Sequence, residues 1–463
     1  MSINPPSSSD ASLSGLPTEL QQAVFGCLIC DQETAERHPE TWASQTLLDS
    51  GSLLNFCRAS KRFHDIGLPI LYQSVFIQHD KNLDSFSDAL DKKPEQAAHV
   101  QHLYSRKWSS NTDGSLSSGN GLYSVTNRLM RVLQHPINPR CVALFMPDQE
   151  LRALSHRICC LAAKKKWPSL RTLIFQSYGG SKKRDFPPQM VYIKLPDPVR
   201  KLTFCFRGPQ NICIPPKLSF PYSLPRSLIR LNLFGISMTF MVIKNILEHC
   251  PELEQLRWDL NTQSWSEILP DNEHDSTCLG LGGQALKEFR LVNRDYDYEL
   301  PQSFLEEEVL PMPLRCFQGL AKLEKLRVDL EGLARVTATE VCLPASLKEL
   351  AVVVACESDF HRHWYQPDKD EHEGREGEKR SDLGEPRGTW LSLCFFKLEK
   401  AVSSDQLPNL QSLVVDHELD SESTELRAAR MWKPYYEQYA TIMGEHNITL
   451  SWTWSSEQGA PHS

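Results

Sequence analysis

This sequence of 463 residues contains no long apolar run. Nowhere do apolar residues reach the ~18 consecutive positions that a membrane-spanning helix needs. The opening residues, MSINPPSSSDASLSG, also lack the basic stretch and the following apolar stretch of a secretory signal. We therefore expect an intracellular protein, cytoplasmic or nuclear, that does not bind membranes.

An excess of positive charge is missing as well. The formal net charge is -8 at pH 7, and the sequence pI is about 6.0. A protein of this charge has no overall positive field that attracts it to phosphate backbones or anionic lipids. Nucleic acid is therefore not the expected partner. The hydrophobic content of 40% is enough for one large core or two domains.

Known catalytic strings are absent. The sequence contains no G-x-S-x-G, P-loop, G-x-G-x-x-G or H-E-x-x-H pattern. One charged stretch has imidazoles and carboxylates at metal-like spacing, namely His361, His363, Asp368, Asp370 and His372. A metal site needs rigidly supported ligands, and this polar stretch offers no such support. We expect no catalytic residue, no metal and no cofactor.

Fourteen cysteines are scattered through apolar stretches. In a chain without a secretion signal, free buried thiols are the common outcome. Cys27 and Cys30 form a C-x-x-C, but the second ligand pair that zinc requires does not follow at finger-like spacing. Cys159 and Cys160 lie on a predicted helix, and we expect both to pack in the core.

The first apolar segment has a helical period. Leu16, Leu20, Val24 and Leu28 recur at four-residue steps, which places them on one face of a helix. Pro17 suits the first position of that helix, because its missing N–H would have no intrahelical partner. The sequence predicts a helix that begins at about Pro17.

A second apolar cluster, SLLNFCRASKRFHDIGLPILYQSVFI, begins at Ser52, which suits a helix N-cap. Gly67 and Pro69 are expected to break the cluster into short helical pieces. The SVFI segment after Tyr72 is expected to be extended. Three short helices bury little surface by themselves, so they need a partner, either another protein or the domain behind them.

The order and chemistry of these residues resemble an F-box, of the type found at the N-termini of fungal F-box proteins. The resemblance covers about Leu16 to Ile77, with a longer polar connection at Asp31 to Gly51 than the family usually has. In that family the three-helix motif docks on the Skp adaptor of cullin-RING ubiquitin ligases. The resemblance implies that the adaptor interface or local core contains Leu16, Pro17, Leu20, Val24, Leu28, Leu53, Leu54 and Leu71.

The rest of the chain repeats one template, apolar-x-x-apolar-x-apolar. It occurs as LRTLIF, VRKLTF, LIRLNL, LEQLRW, LKEFRL, LEKLRV, LKELAV and LQSLVV, which start at Leu170, Val199, Leu228, Leu253, Leu286, Leu323, Leu347 and Leu410. The first seven starts lie 24 to 37 residues apart, which brackets the period of leucine-rich repeats. Many of the strings follow a proline or small residue, which indicates a turn into a short strand.

Amphipathic helices are predicted between the strands. One contains Leu151, Leu154, Ile158 and Leu161 after a cap at Asp148, and another contains Phe240, Ile243, Ile246 and Leu247 after Ser237. Two earlier strings, VQHLYS and CVALFM, are candidate first repeats, and ITLSWTW is a candidate last strand. We expect Trp258 in the core and some other tryptophans on the concave face.

The whole sequence resembles an F-box protein with irregular leucine-rich repeats, which lack the usual asparagine ladder. The expected fold is α/β, with a short three-helix F-box followed by a solenoid that has one parallel strand per repeat and helices on its convex side. We assign residues 1–14 to a disordered tip, 15–77 to the F-box-like motif, 78–456 to the solenoid and 457–463 to a loose tail. The glycine- and serine-rich segment at 114–121 is expected to be a loop, and a charged insert at about 357–388 is expected to be disordered.

This resemblance implies a non-catalytic substrate receptor of a Skp–cullin–F-box ubiquitin ligase. Its partners would be the Skp adaptor, a cullin bound through that adaptor, and an unknown protein substrate. Two alternatives stay open: a leucine-rich-repeat scaffold unconnected to ubiquitin, whose front helices cap the domain, and an enzyme hidden in a degenerate fold.

Overall fold

The computed structural model divides the chain into two compact units, Met1–Gly180 and Ser181–Ser463. It describes residues 17–18, 53–77, 80–105, 120–146, 154, 157–158, 160–161, 164, 167–177, 198–205, 224–234, 240–260, 283–293, 317–329, 332–333, 336–337, 341–356, 390–419, 433 and 436–456. Both units are α/β, and every described strand pairing is parallel.

In the first unit, the first continuous described segment starts with helical residues 53–59. Its labelled elements are α1 (Lys61–Gln73), β1 (Ser74–Ile77), α2 (Asp80–Lys92), a 3-10 helix (Pro94–His99), β2 (His102–Ser105), α3 (Asn120–Gln134), β3 (Cys141–Met146) and β4 (Thr172–Ser177). The four strands pair in sequence order. The predicted strands at SVFI, VQHLYS, CVALFM and LRTLIF are therefore confirmed.

Helix α1 corrects the prediction that Gly67 and Pro69 break this segment. Both residues lie inside the helix, and the actual interruption is at Ser60. The Ser60 hydroxyl accepts a hydrogen bond of 3.1 Å from the backbone N–H of Phe63, which caps the helix. Gly67 is buried because helical residues 53–59 pack against it, so its role is a close helix contact and not a break.

This contact leads to a prediction for Gly67→Ala. A methyl group at position 67 would lie 2.6 Å from Cys57 Sγ and 3.6 Å from Leu53 Cδ1. We expect the overpacked contact to cost about 1 to 3 kcal/mol, which exceeds the ~1 kcal/mol gain in helix propensity. Faster amide hydrogen exchange across residues 53–73 would measure the effect.

The matched background for this test is Cys57→Ala, which removes the sulfur atom that the new methyl group meets. The same Gly67→Ala change should cost much less in that background, because the clashing partner is gone. An equal increase in exchange in both backgrounds would contradict the close-contact explanation.

Ion pairs join α2 and α3 along their facing sides. Arg128 Nη1 lies 2.8 Å from Asp84 Oδ2, and Arg131 pairs with Asp91. His135 Nε2 lies 3.5 Å from the other oxygen of Asp91. The acidic residues recur along one face of α2 and the basic residues along one face of α3, so the charges specify how the two helices align.

The second unit contains β5 (Lys201–Cys205), β6 (Arg230–Phe234), α4 (Phe240–His249), β7 (Gln255–Leu260), β8 (Glu288–Asn293), β9 (Lys325–Asp329), β10 (Glu349–Cys356), α5 (Trp390–Ser403), β11 (Ser412–Leu419) and β12 (Thr449–Ser456). Its eight described strands are parallel and pair in sequence order. All eight strings of the template are confirmed as strand sites across the two units, as are the helix at Phe240 and the last strand. This is the arrangement expected of a repeat solenoid.

A common turn leads into many of these strands. The backbone N–H of the first template leucine donates to the carbonyl three residues earlier, as in Leu228 to Pro225 (3.0 Å) and Leu347 to Pro344 (3.1 Å). That leucine is fully buried in both cases. The turn therefore inserts an apolar anchor into the core immediately before each strand, which explains the prolines upstream of the template.

The strands of the second unit have two different faces. The fourth and sixth template positions are buried, as shown by Leu256, Trp258, Phe289 and Leu291. Alternation sends the residues between them to the opposite side. The prediction that Trp258 belongs to the core is confirmed. We call the buried side the apolar face and the other side the polar face.

Helices pack on the apolar face at the C-terminal end of this unit. Tyr436, in a helical segment that continues to residue 445, stacks on Trp452 of β12 with ring centroids 5.5 Å apart. Its hydroxyl lies 2.7 Å from Nε2 of the fully buried His417 of β11. Trp452 thus faces the helix and lies on the apolar side of β12, opposite the buried Val415 of β11.

Two residues with left-handed backbone end the helices before the last strands. Asp405 follows α5 and Asn447 follows the helical residues 436–445, and each has a φ of 61°. Aspartate and asparagine tolerate this conformation better than most residues. The N–H of Gln406 donates to the Ala401 carbonyl (2.9 Å), a bond that closes the end of α5.

Several other predictions have mixed outcomes. The loop predicted at 114–121 is wrong at its end, because Asn120 and Gly121 already belong to α3, while 114–119 lie outside the described residues. The charged insert at 357–388 lies outside them entirely. Cys160 is helical but exposed, which corrects its expected core position.

Within the described part of the chain, no helix is both long and apolar enough to cross a membrane.

Candidate functional site

The residues that the F-box resemblance indicated are only partly described. Leu16, Leu20, Val24 and Leu28 lie outside the described residues, as do Cys27 and Cys30. Pro17 is exposed. The remaining three residues occupy the two helical segments at 53–59 and 61–73: Leu53 is 2% exposed, Leu54 is 38% exposed and Leu71 is half-buried.

These helical segments therefore divide the paired leucines between two roles. Leu53 packs inward, beside the position that a Gly67 side chain would occupy. Leu54 points outward, and it is one of two large hydrophobic residues that are exposed in the described part of the chain, with Phe396 of α5. Leu54 is thus an apolar side chain that another protein could contact on this short helix.

The second candidate surface is the polar face of the second unit. At the second template position, immediately before the strands begin, charges of opposite sign alternate from one repeat to the next. Lys287 Nζ lies 3.0 Å from Glu254 Oε1, and Lys348 Nζ lies 3.0 Å from Glu324 Oε1. Such exposed cross-strand pairs contribute a few tenths of a kcal/mol up to about 1 kcal/mol each.

One residue further along, Lys325 and Glu349 continue this pattern. Lys325 Nζ donates to Glu349 Oε2 at 2.9 Å, and that hydrogen bond, with the nearby negative charge, raises the pKa of Lys325. Both side chains are well exposed to solvent. The pair therefore aligns β9 and β10 and contributes little to stability.

Two residues further along the strands, the charge pattern changes to one sign. The strand register places Arg257 of β7 opposite Arg290 of β8, and Arg290 opposite Arg327 of β9. Neighbouring strands lie about 4.8 Å apart, so three guanidinium side chains rise side by side. We call these three residues the arginine row. Like charges placed directly opposite are unfavourable, so the row requires compensating groups.

Arg290, in the centre, has a buried partner. Its Nε donates to Asp259 Oδ1 at 2.7 Å and its Nη2 donates to Asp259 Oδ2 at 3.0 Å. The Asp259 side chain is 1% exposed and the Arg290 side chain is 12% exposed. This bidentate geometry compensates the burial of both charges.

Arg327 reaches further across the polar face. It pairs with Asp416 of β11, and its direct neighbour on the intervening strand β10 is Ala351. The small Ala351 side chain leaves room for the arginine to pass. Asp416 Oδ1 also accepts a hydrogen bond of 2.7 Å from Thr453 of β12, so one network spans four strands.

Arg257 differs from the other two members, because it remains accessible. Its Nη2 lies 3.1 Å from Glu288 Oε1, and the side chain is 45% exposed. Glu288 also accepts a hydrogen bond of 2.6 Å from Gln255 Nε2. A guanidinium carries five N–H donors, so Arg257 retains donors that point to solvent.

The sequence analysis did not identify the arginine row, although a signal exists. The fifth template position is arginine in three consecutive strings, LEQLRW, LKEFRL and LEKLRV. Comparing the residues at the fifth template position across the repeats, and not only those at the apolar positions, would have revealed the arginine row. The partners are harder to find, because Arg327 and Asp416 are separated by an insert of unpredictable length.

The part of the chain that the structure describes contains several buried cysteine thiols but no cluster of metal ligands. Within the described residues, no group of three or more His, Cys, Asp or Glu side chains is placed to hold a metal ion. Burial raises the pKa of the Cys250 thiol to about 12 and that of Cys394 to about 11, which keeps both in the unreactive thiol form. The histidines and acidic residues at 361–372 lie outside the described residues.

In comparisons with known proteins, no family model matches this chain, and no curated protein matches its sequence.

Proposed function

We propose that this protein is the substrate-recognition subunit of a Skp–cullin–F-box ubiquitin ligase. The observation that carries the proposal is the combination of two surfaces in one chain: an exposed apolar residue on a short N-terminal helix pair, and a parallel-strand array with a charged polar face. The LPTEL, SLLNFCRASKRF and LPILY segments support the F-box part. The repeated template and its parallel strands support the leucine-rich-repeat part.

In this function the two surfaces act on different partners. The N-terminal helices dock on the Skp adaptor, which connects the chain to a cullin. The polar face binds a protein substrate and holds its lysines near the ubiquitin-charged conjugating enzyme. Such a receptor accelerates transfer by raising effective concentration, and its own side chains perform no chemistry.

The test is capture of the purified full chain by the Skp adaptor. We expect the native chain to bind, and we expect Leu54→Asp to weaken binding by about tenfold or more, because it places a charge in an apolar contact. The double variant Leu16→Asp, Leu20→Asp should have the same effect. The matched control is Phe396→Asp, since it makes the same kind of change at an exposed apolar residue of the other unit.

Retained binding by Phe396→Asp and loss in Leu54→Asp, with circular dichroism unchanged, would support the proposal. A folded native chain that does not bind the adaptor would overturn it. A repeat scaffold unconnected to ubiquitin would then be the better account.

A further inference from the structure

The polar face of β5 to β8 carries more positive than negative charge. The strand register places Lys201 of β5 opposite Arg230 of β6, and Arg257 of β7 lies one strand and two residues further on. Arg290 follows on β8. We call the three arginines, Arg230, Arg257 and Arg290, the cationic patch. The acidic residues that point to the same face of these strands are Asp259 and Glu288.

These two carboxylates do not neutralise the patch. Asp259 is buried and binds Arg290 with both oxygens. Glu288 shares its oxygens between Gln255 and Arg257. Arg230 is exposed, and within the described residues it has no ion pair. The face therefore keeps a local excess of positive charge at Arg230, beside Arg257, which pairs with Glu288 but is 45% exposed.

This excess contrasts with the rest of the protein. The whole chain has a formal net charge of -8, and the entrances to β7 through β10 carry charges that alternate in sign. A row of like charges is unfavourable in a sheet unless something compensates it. A ligand that brings carboxylates to Arg230 and Arg257 would complete that compensation, because guanidinium groups bind carboxylates with two parallel hydrogen bonds.

The spacing of the two exposed arginines indicates the form of this ligand. Their strands are neighbours and their positions differ by two residues, so their Cα atoms lie about 8 Å apart diagonally. In an extended peptide, side chains at positions i and i+2 lie on one side and about 7 Å apart. Two acidic residues with one residue between them therefore match the two arginines.

We propose that the cationic patch binds an extended acidic peptide segment, with aspartate or glutamate at alternate positions. The assignment of this segment to a ubiquitination substrate rests on the proposed function, but the binding itself does not. Asn232 lies on the same face, opposite Arg257 and two residues from Arg230, and its amide nitrogen donates to Thr203 at 3.0 Å, which leaves the amide oxygen as an acceptor for a peptide N–H. Binding strengthens as salt is lowered, because the contacts are exposed ion pairs.

The experiment is fluorescence anisotropy of the full chain with two labelled peptides. One peptide alternates serine and glutamate, and the other alternates serine and glutamine. We expect the glutamate peptide to bind about tenfold more tightly, and the difference to shrink as salt rises from about 0.05 M to about 0.5 M, where charge interactions are screened. Equal binding of the two peptides would overturn the proposal.

Charge-reversed variants locate the binding. The variant Arg230→Glu, Arg257→Glu should lose the preference for the glutamate peptide. The control Lys244→Glu, Lys322→Glu makes the same change in net charge, on α4 and in the turn before β9, and should keep it. The milder Arg230→Gln, Arg257→Gln variant serves if the reversed one does not fold. Equal loss in the control, or no loss in either arginine variant, would overturn the proposal.

Two further outcomes separate this inference from the proposed function. Peptide binding without adaptor capture supports the cationic patch as a peptide site and removes only its ubiquitin role. Adaptor capture without peptide binding supports the receptor and overturns the inference. Tighter binding of a single-stranded oligonucleotide than of the glutamate peptide, lost in the same arginine variant, would also overturn it.

Discussion

Trp258→Ala is expected to lower the free energy of unfolding by about 3 to 5 kcal/mol, one of the two largest effects in this protein. Trp258 is fully buried on the apolar face of β7. Its register neighbours are Leu233 and Leu291, which are also fully buried. Removal of the indole leaves a large cavity between three strands. Urea unfolding followed by circular dichroism would show the loss as a lower midpoint.

The control for this prediction is Trp258→Phe, which keeps an aromatic ring and most of the buried volume. We expect it to cost roughly half as much or less, since the remaining cavity is smaller. In a stack of repeats each unit contacts its neighbours, so the cavity should weaken β6 and β8 as well as β7. Equal midpoints for the alanine variant and the native chain would contradict the core assignment.

Asp259→Ala is expected to cost about 3 to 5 kcal/mol, because it leaves the guanidinium of Arg290 buried without its bidentate partner. The two residues are joined by hydrogen bonds of 2.7 and 3.0 Å, and Asp259 is almost inaccessible to solvent. The same urea measurement applies. A steep loss is expected although no apolar core contact is removed.

Glu254→Ala is the matched control, because it breaks an exposed ion pair with Lys287, formed by the residues that immediately precede the same two strands. We expect that change to cost less than about 1 kcal/mol. The double variant Asp259→Val, Arg290→Met should recover much of the loss, since an apolar pair of similar volume needs no charge compensation. A cost for Asp259→Ala no larger than that for Glu254→Ala would contradict the buried-pair explanation.

These two predictions concern adjacent residues on opposite faces of one strand. Trp258 stabilises the array by excluding water from the core, and Asp259 holds the central arginine of the polar face in place. Arg290 is itself a member of the cationic patch, so the stability of the polar face and the arrangement of that patch depend on the same ion pair.

The strand positions were predictable because the signal for them is local. Each template string contains its own alternation and is preceded by its own turn, so no contact with another repeat is needed to recognise it. The strand at LKEFRL, for example, is as clear in six residues of sequence as it is in β8. The same reasoning located α4, whose apolar residues recur at helical period.

The errors concern residues whose conformation depends on a partner. Gly67 and Pro69 are helix breakers in isolation, but α1 continues through them and packs its glycine against Cys57. Cys160 was expected in the core, but its side chain is exposed on a helical segment. In each case the conformation or burial of the residue was decided by a tertiary contact or by the side of the helix on which the residue lies.

The sequence alone determined that this protein is an α/β array of parallel strands, because periodicity, turns and buried leucines are properties of short segments. Only the tertiary structure decided which polar side chains meet. Register sets Arg257, Arg290 and Arg327 side by side, and the pairing of Arg327 with Asp416 joins residues that are 89 positions apart. Charge interactions depend on distance in space, and that distance exists only after the strands have paired.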